Sequence, residues 1–321
     1  MIISVIVCTY NRCQSLARAL GSVASSLLPD SVEWEVLVVD NNSKDRTHEI
    51  VDDFRRRYPG RFRYLFEGRQ GKSYALNLGI REARGDVLAF MDDDVTVEPA
   101  WLRILTEPLE SGEWAGVGGR ILADRAFTPP KWLSLEGKYS MAGMLALFDL
   151  GPCSCELRQP PFGTNMAFRK CIFGQYGGFR TDMGPCPGSE IRNEDTEFGN
   201  RLLAGGERLW YEPAAIVYHA VPEKRLEKPY FLAFWFDHGR ASVREWKKKP
   251  AILGIPRRYF NIVRMAVRLV GRALRWMLTA NSQRRFFYKG FVWMTVGEIV
   301  EIYRQSVNSI DLEQDGVPEI D

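Results

Sequence analysis

The chain has 321 residues, is 45% hydrophobic and 26% charged, and carries a formal net charge of +3. That length buries a sizeable core, and the mix of apolar and charged residues excludes a wholly disordered chain. Six cysteines, with neither a second paired set nor a histidine at zinc-site spacing beside Cys153 and Cys155, exclude a disulfide scaffold; free thiols in a reducing compartment are expected.

The opening MIISVIVCTYNR has no basic start, no long apolar stretch and no small-residue cleavage site, so no signal peptide is expected. Ile2–Cys8, rich in β-branched residues, predicts a first strand ending at Thr9-Tyr10-Asn11-Arg12, and Ser15–Ser26 a helix. Glu35–Val39 predicts a second strand that ends in Asp40-Asn41-Asn42-Ser43-Lys44-Asp45. A helix over Thr47–Tyr58, a strand over Phe62–Phe66 and a helix over Lys72–Ala83 follow, then a buried strand, Val87–Met91, that stops at three aspartates. Strands alternating with helices in this way predict an α/β layer with a mostly parallel, mixed central sheet. In such sheets ligands sit at the carboxyl ends of strands, where Thr9, Asp40 and Asp92–Asp94 fall.

Residues 116–221 contain more Gly, Pro and aromatics, and no internal repeat is evident. Loops are expected at Thr128-Pro129-Pro130 and Arg158–Gly163, strands at Asn165–Arg169 and Arg208–Trp210, and a helix at Glu194–Ala204. The organisation expected is one α/β domain over 1–221, with a strand-end half (1–115) and an acceptor half (116–221). A basic amphipathic helical region (222–305) and a flexible acidic tail (306–321) follow.

Five stretches carry chemistry. Three carboxylates at Asp92-Asp93-Asp94 repel one another and are most readily kept around a cation, for which oxygen ligands favour Mg²⁺ or Mn²⁺; an acidic turn capping the next helix is the plainer alternative. Asp40 can accept a hydrogen bond from a nucleotide base, or belong to a turn and N-cap. Gly68-Arg69-Gln70-Gly71-Lys72-Ser73 ends like a P-loop, but Phe66 stands where the opening glycine is required, which argues against ATP hydrolysis. The loop can still present donors and Lys72 to a phosphate. Glu194 and Asp195 open a helix, where acids suit the dipole and where a carboxylate can also take a proton from a hydroxyl. His219 closes the apolar run Ala214–Tyr218 as a candidate ligand, or as a packed core histidine.

Together, and in this order, Thr9-Tyr10-Asn11-Arg12, Val38–Ser43 with Asp45, Gly71-Lys72 with Ala75 and Asn77, Asp92-Asp93-Asp94, Gly163-Thr164-Asn165, Glu194-Asp195 and His219 closely resemble the family 2 glycosyltransferases of the GT-A fold, over about residues 2–221. The resemblance implies an inverting, metal-dependent transfer of one sugar from a nucleotide donor, taken to be a UDP-sugar, to a glycan or lipid-linked hydroxyl. It implies that Asp40 reads the base, that Asp92 lies near the ribose and Asp93 has a lesser role, and that Thr9, Tyr10, Arg12, Asp45, Lys72 and Asn77 complete the donor site. Asp94 is the implied metal ligand with help from Asp92, and His219 lies near metal and diphosphate. Asp195 is the implied base with Glu194 the runner-up, and Gly163, Thr164 and Asn165 are expected on the acceptor side. The Gln-x-x-Arg-Trp signature of processive members is missing, which points to one sugar per encounter. A sugar-phosphate nucleotidyltransferase, the nearest rival, would carry a glycine-rich loop after the first strand, yet no glycine occurs before Gly21. A non-catalytic saccharide-binding relative is the other alternative.

The near-neutral mean charge hides an asymmetry: residues 222–305 hold 18 Lys+Arg against 6 Asp+Glu, and the last sixteen residues hold five acids and no base. A basic region of this kind suits an anionic partner. No zinc-finger, RRM-like or KH-like pattern accompanies it, so nucleic acid is not the expected partner. Arg264, Arg268, Arg272 and Arg275 recur at helical spacing among valines and leucines, and Trp276 and Trp293 lie in aromatic, basic surroundings. Charges interrupt every stretch long enough to span a bilayer. The expectation is therefore a cytoplasmic protein held peripherally on the anionic inner face of the cell membrane, or else helices packed with a solvated basic face.

Overall fold

Runs of β-branched and apolar residues become strands wherever helices cover both faces of the sheet, and the first hundred residues follow that rule. The structure, a computed structural model, describes the backbone of residues 1–245 and 257–314 and the side chains of 1–245 and 263–305. Strand β1 (Ile2–Thr9) leads to α1 (Cys13–Ala24), β2 (Glu33–Asp40) to α2 (Thr47–Arg57), and β3 (Phe62–Phe66) to α3 (Lys72–Glu82). β4 (Val87–Asp92), β5 (Val95–Val97), α4 (Trp101–Thr106), β6 (Gly116–Ala123), β7 (Cys155–Leu157), β8 (Asn165–Arg169), α5 (Cys171–Tyr176), α6 (Glu194–Ala204) and β9 (Leu209–His219) follow. They form one sheet in the order β3-β2-β1-β4-β8-β6-β9-β5, with β7 on β9. The expected α/β architecture with a central, mostly parallel mixed sheet is borne out. β3, β2, β1 and β4 are parallel throughout, whereas β8 enters antiparallel between β4 and β6. The core is continuous, from Val5, Ile6 and Val7 of β1 through Leu16 and Leu20 of α1 to Phe90, Phe168 and Phe198.

Register converts this sheet into a site. Thr9 pairs with Asp40 and Cys8 with Asp92, so three polar strand ends lie side by side at one carboxyl edge. The antiparallel pairing of Met91 with Asn165 brings Gly163-Thr164 next to Asp92. The pairing of Val95 with His219 brings that histidine back to Asp94. The short strand expected over Arg208–Trp210 in fact runs on to His219. Pro213 is tolerated because the β6–β9 pairing skips from Glu212 to Ile216, a bulge in which its missing N–H costs no ladder bond.

Residues separate into two units, Met1–Phe127 with Ala142–Pro222, and Thr128–Met141 with the described residues from Glu223 onward. The segment Thr128–Met141, expected in the acceptor half, belongs to the second unit because Trp132 packs edge-on against Phe231 and Phe286, and Tyr139 against Phe287. That unit contains α7 (Lys228–Arg244), α8 (Arg257–Leu278) and α9 (Ser282–Gln314). α7 and α9 meet through glycines: a Cβ on Gly239 would lie 2.0 Å from the Met294 carbonyl, and one on Gly297 2.0 Å from that of Phe236. Around this crossing Arg240 and Arg244 share Glu301 at 3.1 and 2.7 Å. The expected flexible tail from residue 306 begins as helix, since no Pro or Gly interrupts it before Gly316; residues 315–321 lie outside the described residues.

Close backbone approach near the site gives a test. A Cβ on Gly119 would lie 2.3 Å from both the Asn165 Nδ2 and the Ala215 carbonyl. Gly119→Ala should therefore lower stability by ~1–3 kcal/mol. Thermal unfolding followed by circular dichroism measures this, and an unchanged midpoint would contradict the packing.

Candidate active site

On the β1–β2 side, polar side chains at the strand ends are satisfied by one another. Asp40, buried, accepts from the Ser43 N–H at 2.9 Å and from the Tyr64 hydroxyl at 2.7 Å. Burial and the Asp40 charge push the Tyr64 hydroxyl well above its usual range. Asp45 is exposed and ties two helix starts together, accepting from the N–H groups of Cys13 (2.9 Å) and Thr47 (3.1 Å). Tyr10 is exposed beside them. Asn41, given no role of its own by the sequence reading, organises the loop ahead of α3. Its amide donates to the carbonyls of Glu67 and Arg69, at 3.2 and 2.7 Å, and accepts from Gly71 N–H at 2.7 Å. Gly71 has φ near 143°, a conformation that side chains rarely adopt. Its glycine-only backbone feeds Lys72 into the site.

At the sheet's centre the three aspartates take separate directions. Asp93 is buried and accepts from Thr9 Oγ1 at 2.7 Å and Arg12 at 3.2 Å. Burial pushes its carboxyl up to about 6, Arg12 pulling the other way and Asp94 adding to the rise. Asp94 accepts from Arg12 at 2.8 Å and lies 3.6 Å from His219 Nε2. Asp92 turns toward α3 and β8, accepting from Lys72 Nζ at 2.8 Å and Thr164 Oγ1 at 2.9 Å. Burial disfavours its charge, yet the Lys72 charge and hydrogen bond hold it well below the ordinary carboxylate range.

Lys72 reaches a second carboxylate, Glu194 Oε1, at 3.3 Å. Burial works against its ammonium, but Asp92, Glu194 and Asp195 outweigh that and hold its pKa well above the lysine value. Glu194 is 3% exposed, and its Oε2 has no hydrogen-bond partner among the described residues. Burial pushes it up to about 7 despite Lys72, and the neighbouring Asp195 adds to the rise. Asp195 itself is half-buried; its Oδ2 accepts from Gly163 N–H at 2.6 Å and its Oδ1 from Thr196 N–H at 2.7 Å. A Cβ at position 163 would approach Asp195 Oδ2 to 3.1 Å, so Gly163 keeps that backbone contact open.

The structure thus gathers Thr9, Arg12, Asp40, Lys72, Asp92, Asp93, Asp94, Gly163, Thr164, Glu194, Asp195 and His219 at one edge of the sheet. Two expected residues serve the framework instead. Asn165 is fully buried, accepts from Trp101 Nε1 at 2.8 Å and donates to the carbonyls of Arg120 and Ala215, so it has no face left for an acceptor. Asn77 spends its amide on the backbone of Phe179, donating and accepting at 2.8 Å, rather than on a donor. Among the described residues no three His, Cys, Asp or Glu side chains surround one point. The adjoining carboxylate and imidazole of Asp94 and His219, 3.6 Å apart, are oxygen and nitrogen donors of the kind that would suit a divalent cation such as Mn²⁺.

Carboxylates converging on the sheet's carboxyl edge, a lysine bridging them and an acidic helix start opposite mark the place where an α/β sheet of this kind takes its ligands. The chain matches the family described as Glycosyl transferase family 2 over residues 4–175, and it belongs to that family. It is 28% identical to the succinoglycan biosynthesis protein ExoM of Rhizobium meliloti, over 74% of this chain and 73% of that protein. It is 30% identical to the glucosyl-dolichyl phosphate glucuronosyltransferase of Haloferax volcanii, over 75% and 76%. Among solved structures, the mannosyltransferase PcManGT of Pyrobaculum calidifontis in complex with GDP-Man and Mn²⁺ superposes with a TM-score of 0.58 at 18% identity, covering 95% of this chain and 86% of that one. GalNAc-T7 with UDP, GalNAc and Mn²⁺ superposes with a TM-score of 0.55 at 16% identity, covering 78% and 52%. The fold is the expected GT-A fold.

The raised Glu194 carboxyl makes stability depend on pH. Unfolded, it titrates near ~4.3; folded, it titrates at about 7. Between these values the unfolded chain ionises and the folded one does not, so this group makes stability fall as pH rises from 4 to 7. Glu194→Gln removes that titration. Its stability relative to the parent should rise across the window by on the order of 2 kcal/mol. Urea unfolding at pH 4.5, 6 and 8 checks this; a flat difference would contradict the buried, neutral carboxyl.

Proposed function

We propose that this protein transfers one sugar from a nucleotide-diphosphate donor, a UDP-sugar, to a hydroxyl of a glycan or lipid-linked acceptor, with inversion at the anomeric carbon. The observation that carries the reading is the meeting, at one sheet edge, of Asp40, the Asp92–Asp94 run with His219, and the half-buried Asp195. Membership of glycosyltransferase family 2 supports it. So do fold neighbours whose complexes contain GDP-Man or UDP with Mn²⁺, and a relative named for a glucosyl-dolichyl phosphate substrate. The inner face of the cell membrane is the proposed place of action.

In this reading Asp40 accepts a hydrogen bond from the base, held in place by Ser43 and Tyr64. Asp94 and His219 would hold Mg²⁺ or Mn²⁺, which when bound neutralises charge on the leaving diphosphate. The Lys72 ammonium and the Arg12 guanidinium lie at the same edge and favour the same developing charge. Asp195 takes the acceptor proton as the acceptor oxygen bonds to the anomeric carbon and the bond from that carbon to the diphosphate oxygen breaks. The Gly163 and Thr196 N–H groups fix its orientation. Glu194, buried and joined to Lys72, positions this helix start rather than taking the proton.

Three measurements test the proposal. Calorimetry with UDP, GDP and dTDP, each with Mn²⁺, should show clear preference for UDP; preferred binding of another nucleotide would remove the uridine assignment. Asp94→Ala should lose metal-dependent turnover while folding normally, and full activity in excess chelator would defeat the metal role. Asp195→Asn should keep donor binding but transfer ~10²–10⁴-fold more slowly; near-normal transfer would place the base elsewhere.

A further inference from the structure

Helix α8 divides its residues between two environments. Met265 is fully buried, and Arg272, expected on the outer basic face, is half-buried instead. Arg272 donates to the Phe291 carbonyl at 3.1 Å and to Thr295 Oγ1 of α9, and burial lowers its pKa. That face is packed. Val263, Val267, Val270, Leu274, Met277 and Leu278 remain, between 48% and 83% exposed. Their steps of four, three, four, three and one keep them on one continuous stripe of the helix. Scattered exposed hydrophobics need no explanation, but a contiguous stripe of six does.

Charge identifies what covers it. The helix carries six arginines and no acidic residue. Arg264, Arg268 and Arg275 are exposed and follow Val263, Val267 and Leu274 directly, so they line one margin of the stripe. The acid that Arg264 and Arg268 face, Glu298, is buried on α9, so a second copy of the same face would set arginine against arginine and bring no exposed carboxylate of α8 to answer it. An anionic lipid surface accepts both parts, the apolar stripe entering at headgroup depth and the arginines reaching the lipid phosphates. No helix among the described residues is long and apolar enough to cross a membrane. The aromatic and basic run 284–294 of α9 is mostly committed to packing: Phe286 and Val292 are buried, and a Cβ on Gly290 would strike the Trp235 ring.

We infer that the exposed apolar face of α8, edged by Arg264, Arg268 and Arg275, docks this protein in the plane of an anionic membrane interface. The inference deepens the proposed function, resting on its reading of an enzyme that acts at a membrane. Trp276 and Trp293, each half-buried with Lys289 over its ring at 5.4 and 5.1 Å, belong to the α8–α9 packing and are not needed for it.

The test is co-sedimentation of the full chain with vesicles of phosphatidylglycerol and phosphatidylcholine, or of phosphatidylcholine alone, across a salt series. The full chain should bind the anionic vesicles at low salt and lose binding as salt rises. Val267→Asp/Leu274→Asp, both at exposed positions, should abolish binding without lowering the unfolding midpoint. Arg264→Glu/Arg268→Glu/Arg275→Glu should weaken anionic binding on the order of 10²-fold. Undiminished binding by the aspartate variant, or no binding by the parent at low salt, would overturn the inference. So would a concentration-dependent dimer, seen by sedimentation velocity without lipid and lost in that variant, because it would give the face to a second copy. Nucleotide calorimetry on the same preparations separates the two readings. The aspartate variant should bind nucleotide like the parent, and a parent that binds vesicles but no nucleotide would count against the sugar-transfer reading alone.

Discussion

The Lys72 ammonium, between Asp92 at 2.8 Å and Glu194 at 3.3 Å, is the interaction around which the rest of the site is arranged. It joins the strand end that carries the aspartate run to the helix start that carries Asp195. Two carboxylates in so confined a space repel each other, and removing charge from water is costly. One cation answers both problems, but unequally. Asp92 is held ionised, whereas Glu194, more deeply buried, is pushed toward its neutral form. The loop that delivers Lys72 is in turn set by Asn41 and by the glycine-only backbone at Gly71.

Sheet register is the second constraint, and it explains why residues far apart in the chain meet. Asp94 and His219 adjoin because β5 pairs with β9, and Thr164 reaches Asp92 because β8 runs antiparallel beside β4. Asn165 locks that arrangement from inside by filling its amide with Trp101, Arg120 and Ala215. A change there would disturb the site through the framework rather than through lost contact with a ligand.

Much of this was legible in the amino-acid sequence, for a physical reason. Parallel strands buried on both faces read as unbroken apolar runs, so the positions where they break into Thr9, Asp40 and Asp92 mark the carboxyl edge without any knowledge of pairing. What stayed hidden depended on partners far along the chain. Asn165 and Asn77 have the composition of ligand-binding residues, and only the strand and loop packed against them reveal that their amides are spent. Likewise Arg272 shares helical spacing with Arg268 and Arg275, but α9 lies on its side of α8. The aromatic run of α9 would suit either a membrane interface or a packed helix. Gly297 and Gly239 decide it by letting α7 and α9 approach to backbone contact, and Gly290 by making room for the Trp235 ring.

On the proposed reading the division of labour at the helix start has a stereochemical consequence. Glu194 is buried and tied to Lys72, and Glu197 is paired with Arg201 at 2.8 Å, which leaves Asp195 to take a proton. A double displacement would need a second, exposed nucleophile to carry the sugar; a single displacement needs only the base. The most direct measurement is the proton NMR spectrum of the first-formed product, read for the coupling of its anomeric proton and compared with that of the donor sugar. Inverted anomeric configuration, formed from the first turnover, is the result this account requires. Retained configuration, or a covalent sugar adduct trapped on the protein, would contradict it.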